Sequence, residues 1–292
     1  MVARLRLRTG PLLMMAASAS FVLMTLCIKT LRAELSGPEV VMWRGLLSLP
    51  LLVLAAGGSG LRIRDRRLFA LRVAFGFAAM TGYAIAAKGL SLVDIDLVSK
   101  LRPLIIAVAA PLVLGGGERV GGRTWIALTG GFAGCAVLLA PELAVGSAYS
   151  LWALGSVLLS AGAHLCLRGL AGESARAVVF WFHAAVAVLG AGATLVTEGA
   201  LELPAAPLWP WLVGVAAAAT AGQLLMTRAY AVEVAPTVAA ATYTGPVWAL
   251  LGDVLVWDAW PAPRAWIGGA MVVTASIWLV LRRAAHAPPR TE

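Results

Sequence analysis

Ten long apolar runs, separated by short polar turns, limit what this 292-residue chain can fold into. Each run holds about 20 residues, the length that an α-helix needs to cross roughly 30 Å of hydrocarbon. Hydrophobic residues make up 61% of the chain and charged residues only 13%, whereas soluble domains average about 45–50% and about 25%. A membrane β-barrel would alternate polar and apolar residues, and these runs do not. The predicted fold class is an all-α integral membrane protein with ten transmembrane helices.

The first run follows three arginines and could imitate a signal peptide. It continues past Phe21 to Ile28, however, and is longer than the usual apolar region of such a peptide, so a retained helix is predicted. The connections are short, so no soluble domain is expected between the runs. The predicted helices lie near residues 11–31, 38–56, 68–90, 94–115, 124–140, 150–169, 176–197, 208–230, 235–257 and 264–281.

The basic residues predict the orientation of the chain. The net charge of +9 also suits nucleic acid, but the arginines lie at the ends of runs without interleaved aromatics, so no nucleic-acid partner is predicted. With both termini on one side, sixteen of the 23 Lys and Arg residues fall on that side, Arg72 among them. Because cytoplasmic loops collect Lys and Arg, both termini are predicted to be cytoplasmic.

The fourth and ninth runs share a pattern. Each has a small or polar stretch before a proline, which is Pro103 in one and Pro246 in the other. Each is followed by an acidic residue in a short turn and by a helix that opens with Trp-Ile. The pattern predicts one unit used twice. Because proline removes a helix hydrogen bond, both prolines are predicted hinges.

A unit of five helices used twice gives halves of opposite orientation. The predicted halves are residues 1–145 (helices one to five) and 146–292 (helices six to ten). Inverted repeats of this kind are typical of secondary transporters, which bind substrate near the midplane between the halves.

Several motifs resemble a known family. The segments TRAY (227–230), VAPTVA (234–239) and YTGPVWA (243–249) are similar to the penultimate-helix signature of the drug/metabolite transporter superfamily, EamA family. GERV (117–120) with Trp125 resembles the matching turn of the first half, and Arg44 in the second helix also fits.

The resemblance implies ten helices in two inverted five-helix repeats around a central cavity. It also implies alternating access, a small-molecule substrate and a bacterial-type inner membrane. In the bacterial branch it implies export of amino acids and related metabolites, with the YddG-like amino-acid exporters as the nearest group. No cofactor is implied.

Cations inside helices are the first candidates for the site. A charge within a helix costs about 2.5–3.5 kcal/mol on insertion scales, so it usually faces an aqueous cavity or a partner. Lys100 and Arg44 are predicted to hold a substrate carboxylate. The alternatives are a helical ion pair between Asp96 and Lys100 and capping of helix ends by Arg44. Arg102 lies about 200° around a continuous helix from Lys100, so the two are not expected to share a face.

Other polar or aromatic residues inside helices complete the predicted site. Asp253 is the acid well inside the ninth run and the candidate for a coupling proton. Helix packing is the alternative for the aromatic residues. The remaining predicted substrate-binding residues are Tyr83, His164, Gln223, Tyr243 and Trp248.

No catalytic or metal signature is found. The chain has no H-E-x-x-H, P-loop or dinucleotide fingerprint, and its three cysteines form no C-x-x-C. A non-enzymatic role without metal is therefore predicted. Gly130 and Gly134 predict close helix packing, either within the chain or at a homodimer face. Two alternatives to amino-acid export stay open: a carrier of a larger anion such as a nucleotide-linked metabolite, and a membrane enzyme or structural protein.

Overall fold

The architecture is helical almost throughout. A computed structural model describes residues 6–31, 34–56, 61–90, 92–139, 148–258, 260 and 262–282; the predicted boundary between residues 145 and 146 lies outside them. Strands β1 (Arg6–Leu7) and β2 (Leu281–Arg282) pair antiparallel. The α-helices are α1 (Thr9–Leu31), α2 (Gly37–Ala56), α3 (Arg66–Ala86), α4 (Leu92–Ser99), α5 (Arg102–Val113), α6 (Gly122–Leu139), α7 (Ala148–Gly169), α8 (Ala175–Glu198), α9 (Trp209–Val232), α10 (Ala235–Ala240), α11 (Gly245–Trp257) and α12 (Pro263–Val280).

The ten predicted crossings are present as helical passes. Nine stretches of the described chain are long and apolar enough to span a membrane. The tenth crossing is divided between α4 and α5, each too short alone. Large apolar side chains such as Leu54 and Val196 are more than four-fifths exposed, as expected for residues that contact lipid. The predicted fold class is confirmed.

The two passes that contain the matching prolines, Pro103 and Pro246, are broken rather than bent. α4 ends at Ser99 and α5 begins at Arg102, so Pro103 is the second residue of a new helix. In the other half a 3-10 turn separates α10 from α11, and Pro246 is again the second residue of the new helix. Proline is tolerated in a first helical turn because the amide hydrogen that it lacks would have no partner there. The two breaks therefore occur at matching positions; the hinge role of the prolines stays a prediction.

Helix packing follows the relation between the two halves. The main partners are α1 with α9, α3 with α7, α2 with α8, and α6 with α12. Helices α1, α3, α7 and α9 are passes one, three, six and eight, so a shift of five passes converts the α1–α9 contact into the α7–α3 contact. The same shift exchanges α2 with α8 and α6 with α12, so each of these two contacts is converted into itself. The packing therefore has the pattern that a two-fold relation between inverted repeats requires.

Small residues bring α6 and α12 together inside the chain. A Cβ atom on Gly268 would clash with the backbone of Gly134 and Leu138, and one on Gly134 would lie 3.0 Å from the Gly268 carbonyl oxygen. By contrast, a Cβ on Gly130 would meet nothing within 4 Å. Gly134 thus serves packing within the chain, as the first interpretation of the glycine motif expected.

The two ends of the helix bundle differ in their polar contacts. We call the end with residues 6–8, 115–121, 170–174 and 281–282 the terminal face, and the end with residues 34–36, 87–90, 199–208 and 258 the far face. On the far face, Trp209 bonds the carbonyl of Pro204 and Trp260 bonds Asp258, within one half. On the terminal face, bonds cross between the halves and join Arg8 to Glu233 and Val280, Arg64 and Asp65 to Glu173, Leu61 to Trp181, Arg123 to Trp278, and Glu118 to Arg168 and Ala235.

Candidate functional site

A cavity of about 840 Å³ lies between the two halves. Its deep end is lined by buried residues, including Met14, Arg72 and Gln223, which lie nearer the terminal face. Its other end is lined by the exposed residues Lys29 and Tyr83, which lie near the far face. The cavity is therefore closed toward the terminal face and open toward the far face.

Most predicted site residues line this cavity, and some do not. Tyr243, Trp248 and Pro103 lie outside the lining set. The predicted residues that line the cavity are Arg44, Tyr83, Lys100, His164, Gln223, Pro246 and Asp253.

Tyr243 packs between helices instead of facing the cavity. It is 1% exposed, and its ring lies over Gly131, where a Cβ atom would come within 2.5 Å of it. Thr242 lines the cavity in its place. The 3-10 turn explains why Thr242 faces the cavity and Tyr243 does not, because three residues per turn rotate side chains away from the positions that they would have in an α-helix.

Trp248 points away for a simpler reason. It lies about 100° around α11 from the cavity-lining Ala249. Its indole nitrogen is buried. The structure thus places neither Tyr243 nor Trp248 in the cavity lining, and their contact with a substrate stays a prediction.

The break between α4 and α5 places Lys100 and Arg102 in the same cavity. A continuous helix would have separated them by about 200°, so the expectation that they do not share a face is wrong. Lys100 Nζ lies 2.8 Å from Asp96 Oδ1 and forms an ion pair. Arg102 donates from Nη1 to Ser160 Oγ at 3.0 Å. Lys100 thus already has an anionic partner, whereas the hydroxyl that Arg102 contacts is neutral.

Arg72 is a lining residue that the sequence did not suggest. It was assigned to the cytoplasmic connection, yet it lies in the second turn of α3 and is only 5% exposed. Its guanidinium carbon lies 4.3 Å from the ring centre of Phe182, a cation–π contact. Gly76, one turn later, provides the space, because a Cβ there would lie 2.6 Å from Arg72 Nη1. The sequence feature that could have indicated the buried position of Arg72 is a glycine four residues later, Gly76.

Arg44 is positioned by the start of α2. The amide of Ser36 donates to Glu39 Oε2 (2.8 Å) and the amide of Glu39 donates to Ser36 Oγ (3.3 Å), a capping box that fixes the helix start. Arg44 follows two turns later, roughly 10 Å into the helix. It is 8% exposed, and its Nε has no hydrogen-bond partner among the described residues.

Two further polar residues line the deep part. Gln223 of α9 is buried. His164 of α7 donates from Nδ1 to the carbonyl of Ser160 at 2.7 Å, and its ring packs edge-on against Tyr230. With Nδ1 used in this bond, Nε2 is the nitrogen that remains available to a ligand.

The lining carries an excess of positive charge. Its acidic residues are Asp96 and Asp253, and its basic residues are Lys29, Arg44, Arg72, Lys100 and Arg102. The formal charge is therefore +3 with both acids ionised and His164 neutral. Buried charges are costly unless they are paired, so the cavity favours an anionic ligand. In the described part of the chain, no cluster of three or more His, Cys, Asp or Glu residues could hold a metal ion.

The helical fold of this chain agrees with the family and the solved structure to which it is similar. Residues 8–140 match the EamA-like transporter family. This range begins just before α1 and ends just after α6, so the EamA-like match covers the first repeat. The breaks, the helix pairing and the cavity extend the same organisation through the second half.

Two whole-length relatives are transporters by name. The pseudopaline exporter CntI of Pseudomonas aeruginosa is 26% identical over 277 residues, covering 94% of this chain and 96% of that protein. The riboflavin transporter of Rhizobium johnstonii is 26% identical over 293 residues, covering 93% and 90%. A solved crystal structure has the same fold, with a TM-score of 0.74 at 21% identity, over 90% of this chain and 94% of that one. These relatives support a transport role and do not single out amino acids.

Proposed function

We propose that this chain is a secondary transporter that exports small carboxylate-bearing metabolites by alternating access. Amino acids and their derivatives are the first substrates to test. The observation that carries the proposal is the cationic cavity between the two halves, closed toward one face and open toward the other. The similarity to one whole-length relative, a pseudopaline exporter, supports export as the direction.

The cross-half bonds of the terminal face support alternating access. They would have to break if the cavity opened on that side. The central one is Glu118, which accepts from Arg168 Nε at 2.7 Å and from the backbone amide of Ala235 at 2.6 Å. Arg168 also donates to the carbonyl of Tyr230 at 2.8 Å. The Glu118 carboxylate therefore links α7 and α10 of the second half to the turn before α6, and Arg168 extends the link to α9. Glu118 is our candidate for the closed gate.

The binding roles are assigned to buried basic side chains that form no ion pair with an acidic residue. We assign the substrate carboxylate to Arg44 and Arg72, because Lys100 is already paired with Asp96. Gln223 and His164 offer neutral polar contacts at the deep end, and Tyr83 lies at the open end.

Asp253 is exposed on α11 and lines the open end of the cavity. A carboxylate in contact with outside water could load a proton before substrate exchange. We therefore keep Asp253 as the candidate for proton coupling. In this proposal the far face is periplasmic, the termini are cytoplasmic and the membrane is the bacterial inner membrane.

A larger anion is the second candidate substrate. Ligand cavities usually measure about 300–1,000 Å³, and this one is near the upper end at about 840 Å³. The volume admits ligands well beyond a single amino acid, including a nucleotide-linked metabolite. Competition by a nucleotide sugar in the assay below would favour this candidate.

Counterflow in proteoliposomes tests the proposed function. Vesicles loaded with an unlabelled amino acid or organic acid should accumulate the labelled form several-fold above protein-free vesicles. The Arg44→Gln, Arg72→Gln double variant should lose this signal, because both free guanidiniums are removed. Arg228→Gln is the matched control, since Arg228 is exposed and outside the cavity lining. No exchange with any acid of the panel would contradict the proposal.

A further inference from the structure

The cavity lining presents three arginines from three helices. Arg44 comes from α2, Arg72 from α3 and Arg102 from α5. Arg44 and Arg72 are both more than nine-tenths buried. The contacts of Arg72 and Arg102 are a phenyl ring and a serine hydroxyl, neither of which carries charge.

The acids of the cavity do not balance these three charges. Asp96 bonds to Lys100 at 2.8 Å. Asp253 lies near the far end of α11, where it is exposed to solvent. Three arginine charges of the lining therefore have no acidic hydrogen-bond or ion-pair partner among the described residues. Isolated buried charges are unfavourable, so an occupant that supplies matching negative charge stabilises this arrangement.

A zwitterionic amino acid with a single carboxylate uses only part of this arrangement. Its one carboxylate can engage one or two guanidiniums, and its ammonium group is repelled by the third. Guanidinium forks bind carboxylates through two parallel hydrogen bonds. Three forks on three helices suit a molecule whose carboxylates are spread over its length.

The apolar part of the cavity lining indicates that the rest of that molecule is an organic framework. Apolar side chains also line the cavity, including Met14, Phe21, Met80, Val157 and Met226. Inorganic phosphate offers no apolar surface to such residues. An organic framework that carries several carboxylates offers both.

We infer that the substrate is an organic polycarboxylate with at least two carboxylate groups, held by Arg44, Arg72 and Arg102. This inference rests on the proposed transport function and narrows its substrate class. Arg102 acts as a specificity residue, because a substrate with a single carboxylate bound by Arg44 and Arg72 leaves the Arg102 guanidinium without an anionic partner.

Ligand-induced thermal stabilisation of the purified protein tests the inference. The probes are L-alanine, succinate, tricarballylate and inorganic phosphate at equal ionic strength. Stabilisation should increase from alanine to succinate to tricarballylate, and phosphate should give little. Equal stabilisation by alanine and tricarballylate, or stabilisation by phosphate alone, would overturn the inference.

Single variants assign the carboxylates. Arg102→Gln should weaken tricarballylate binding about tenfold to a hundredfold, the value of a charged hydrogen-bond pair, and should weaken alanine binding far less. Arg228→Gln should bind both as the parent protein does. Arg102→Lys keeps the charge without the fork and covers the case in which the glutamine variant does not fold. Unchanged tricarballylate binding in both Arg102 variants would overturn the assignment.

Counterflow separates failure of the inference from failure of the proposed function. Exchange of alanine without exchange of succinate or tricarballylate overturns the inference and leaves the transporter intact. Polycarboxylate binding without any exchange supports the site and contradicts transport. Neither binding nor exchange of any probe overturns both.

Discussion

At the scale of single residues, charge pairing decides which cations are available to a substrate. Arg44, Arg72, Lys100 and Arg102 line the same cavity, but Lys100 is held by Asp96. The sequence placed Lys100 first because a lysine inside an apolar run is conspicuous. It also contained the competing interpretation, an ion pair four residues apart on a helix, and the structure favours that interpretation.

A double substitution distinguishes substrate binding by Lys100 from its ion pair with Asp96. The variant Asp96→Asn, Lys100→Met removes both partners and leaves the cavity charge unchanged. We expect its transport KM to stay within about twofold of the parent value, because coupled residues must be removed together to isolate their effect. The measurement is initial counterflow rate against substrate concentration.

Arg44→Met is the comparison for that variant. It removes an unpaired lining cation, so we expect KM to rise by about tenfold or more, the loss of one charged hydrogen-bond pair. A rise in the double variant as large as that in Arg44→Met would show that Lys100 itself holds the substrate.

Arg72 shows where residue-level sequence reasoning stops. It follows a cluster of four arginines that spans the α2–α3 connection and the first residues of α3, so a count of charges places it on the cytoplasmic side. Its burial depends on Asp65, which accepts from the amide of Leu68 and sets the start of α3, and on the space above Gly76. The helix start and the distant contact with Phe182 cannot be read from hydropathy.

At the scale of elements, continuous apolar runs were predicted well and breaks were not. Hydropathy averaged over about 20 residues is insensitive to the two-residue gap between α4 and α5, because both helices are mostly apolar. The proline pair did mark both positions. Its effect is to start a new helix, which turned Arg102 into the cavity and Tyr243 out of it.

The α6–α12 contact gives a prediction at this scale. Gly268→Ala should lower the free energy of unfolding by about 1–3 kcal/mol, the usual cost of overpacking. The reason is that the added Cβ would clash with the α6 backbone at Gly134 and Leu138. Thermal unfolding in detergent measures it.

The matched control for this prediction is Gly130→Ala. The added atom meets nothing within 4 Å, and alanine favours a helix over glycine by about 0.5–1 kcal/mol. We therefore expect equal or higher stability. If both alanine variants behave alike, the close approach of α6 and α12 is not what holds them together.

At the scale of the whole molecule, the two faces are unequal although the halves are related. Glu118 and Asp258 occupy matching turns in the sequence. Glu118 is buried and bonds across the halves, whereas Asp258 is exposed and accepts from Trp260 two residues away. The asymmetry matches a cavity open toward the far face. In the other state of an alternating-access cycle, the cavity is open toward the terminal face and closed toward the far face.

This asymmetry predicts the effect of Glu118→Gln. A neutral amide keeps at most part of the bonding to Arg168 and Ala235, and loss of one partner from a buried ion pair costs about 3–5 kcal/mol. Each 1.4 kcal/mol changes a two-state ratio about tenfold, so even part of this loss shifts the population toward opening at the terminal face. The reporter is Ser18→Cys, a buried lining position, labelled with a membrane-impermeant maleimide from either side.

In the parent background the reporter should be labelled from the far face. In Glu118→Gln the rate from the terminal face should rise several-fold and the far-face rate should fall, because opening one gate of an alternating-access carrier closes the other. Glu198→Gln is the control, since Glu198 is exposed at the end of α8. If both rates rise in Glu118→Gln, the substitution has loosened the fold rather than released a gate, and the role assigned to Glu118 is wrong.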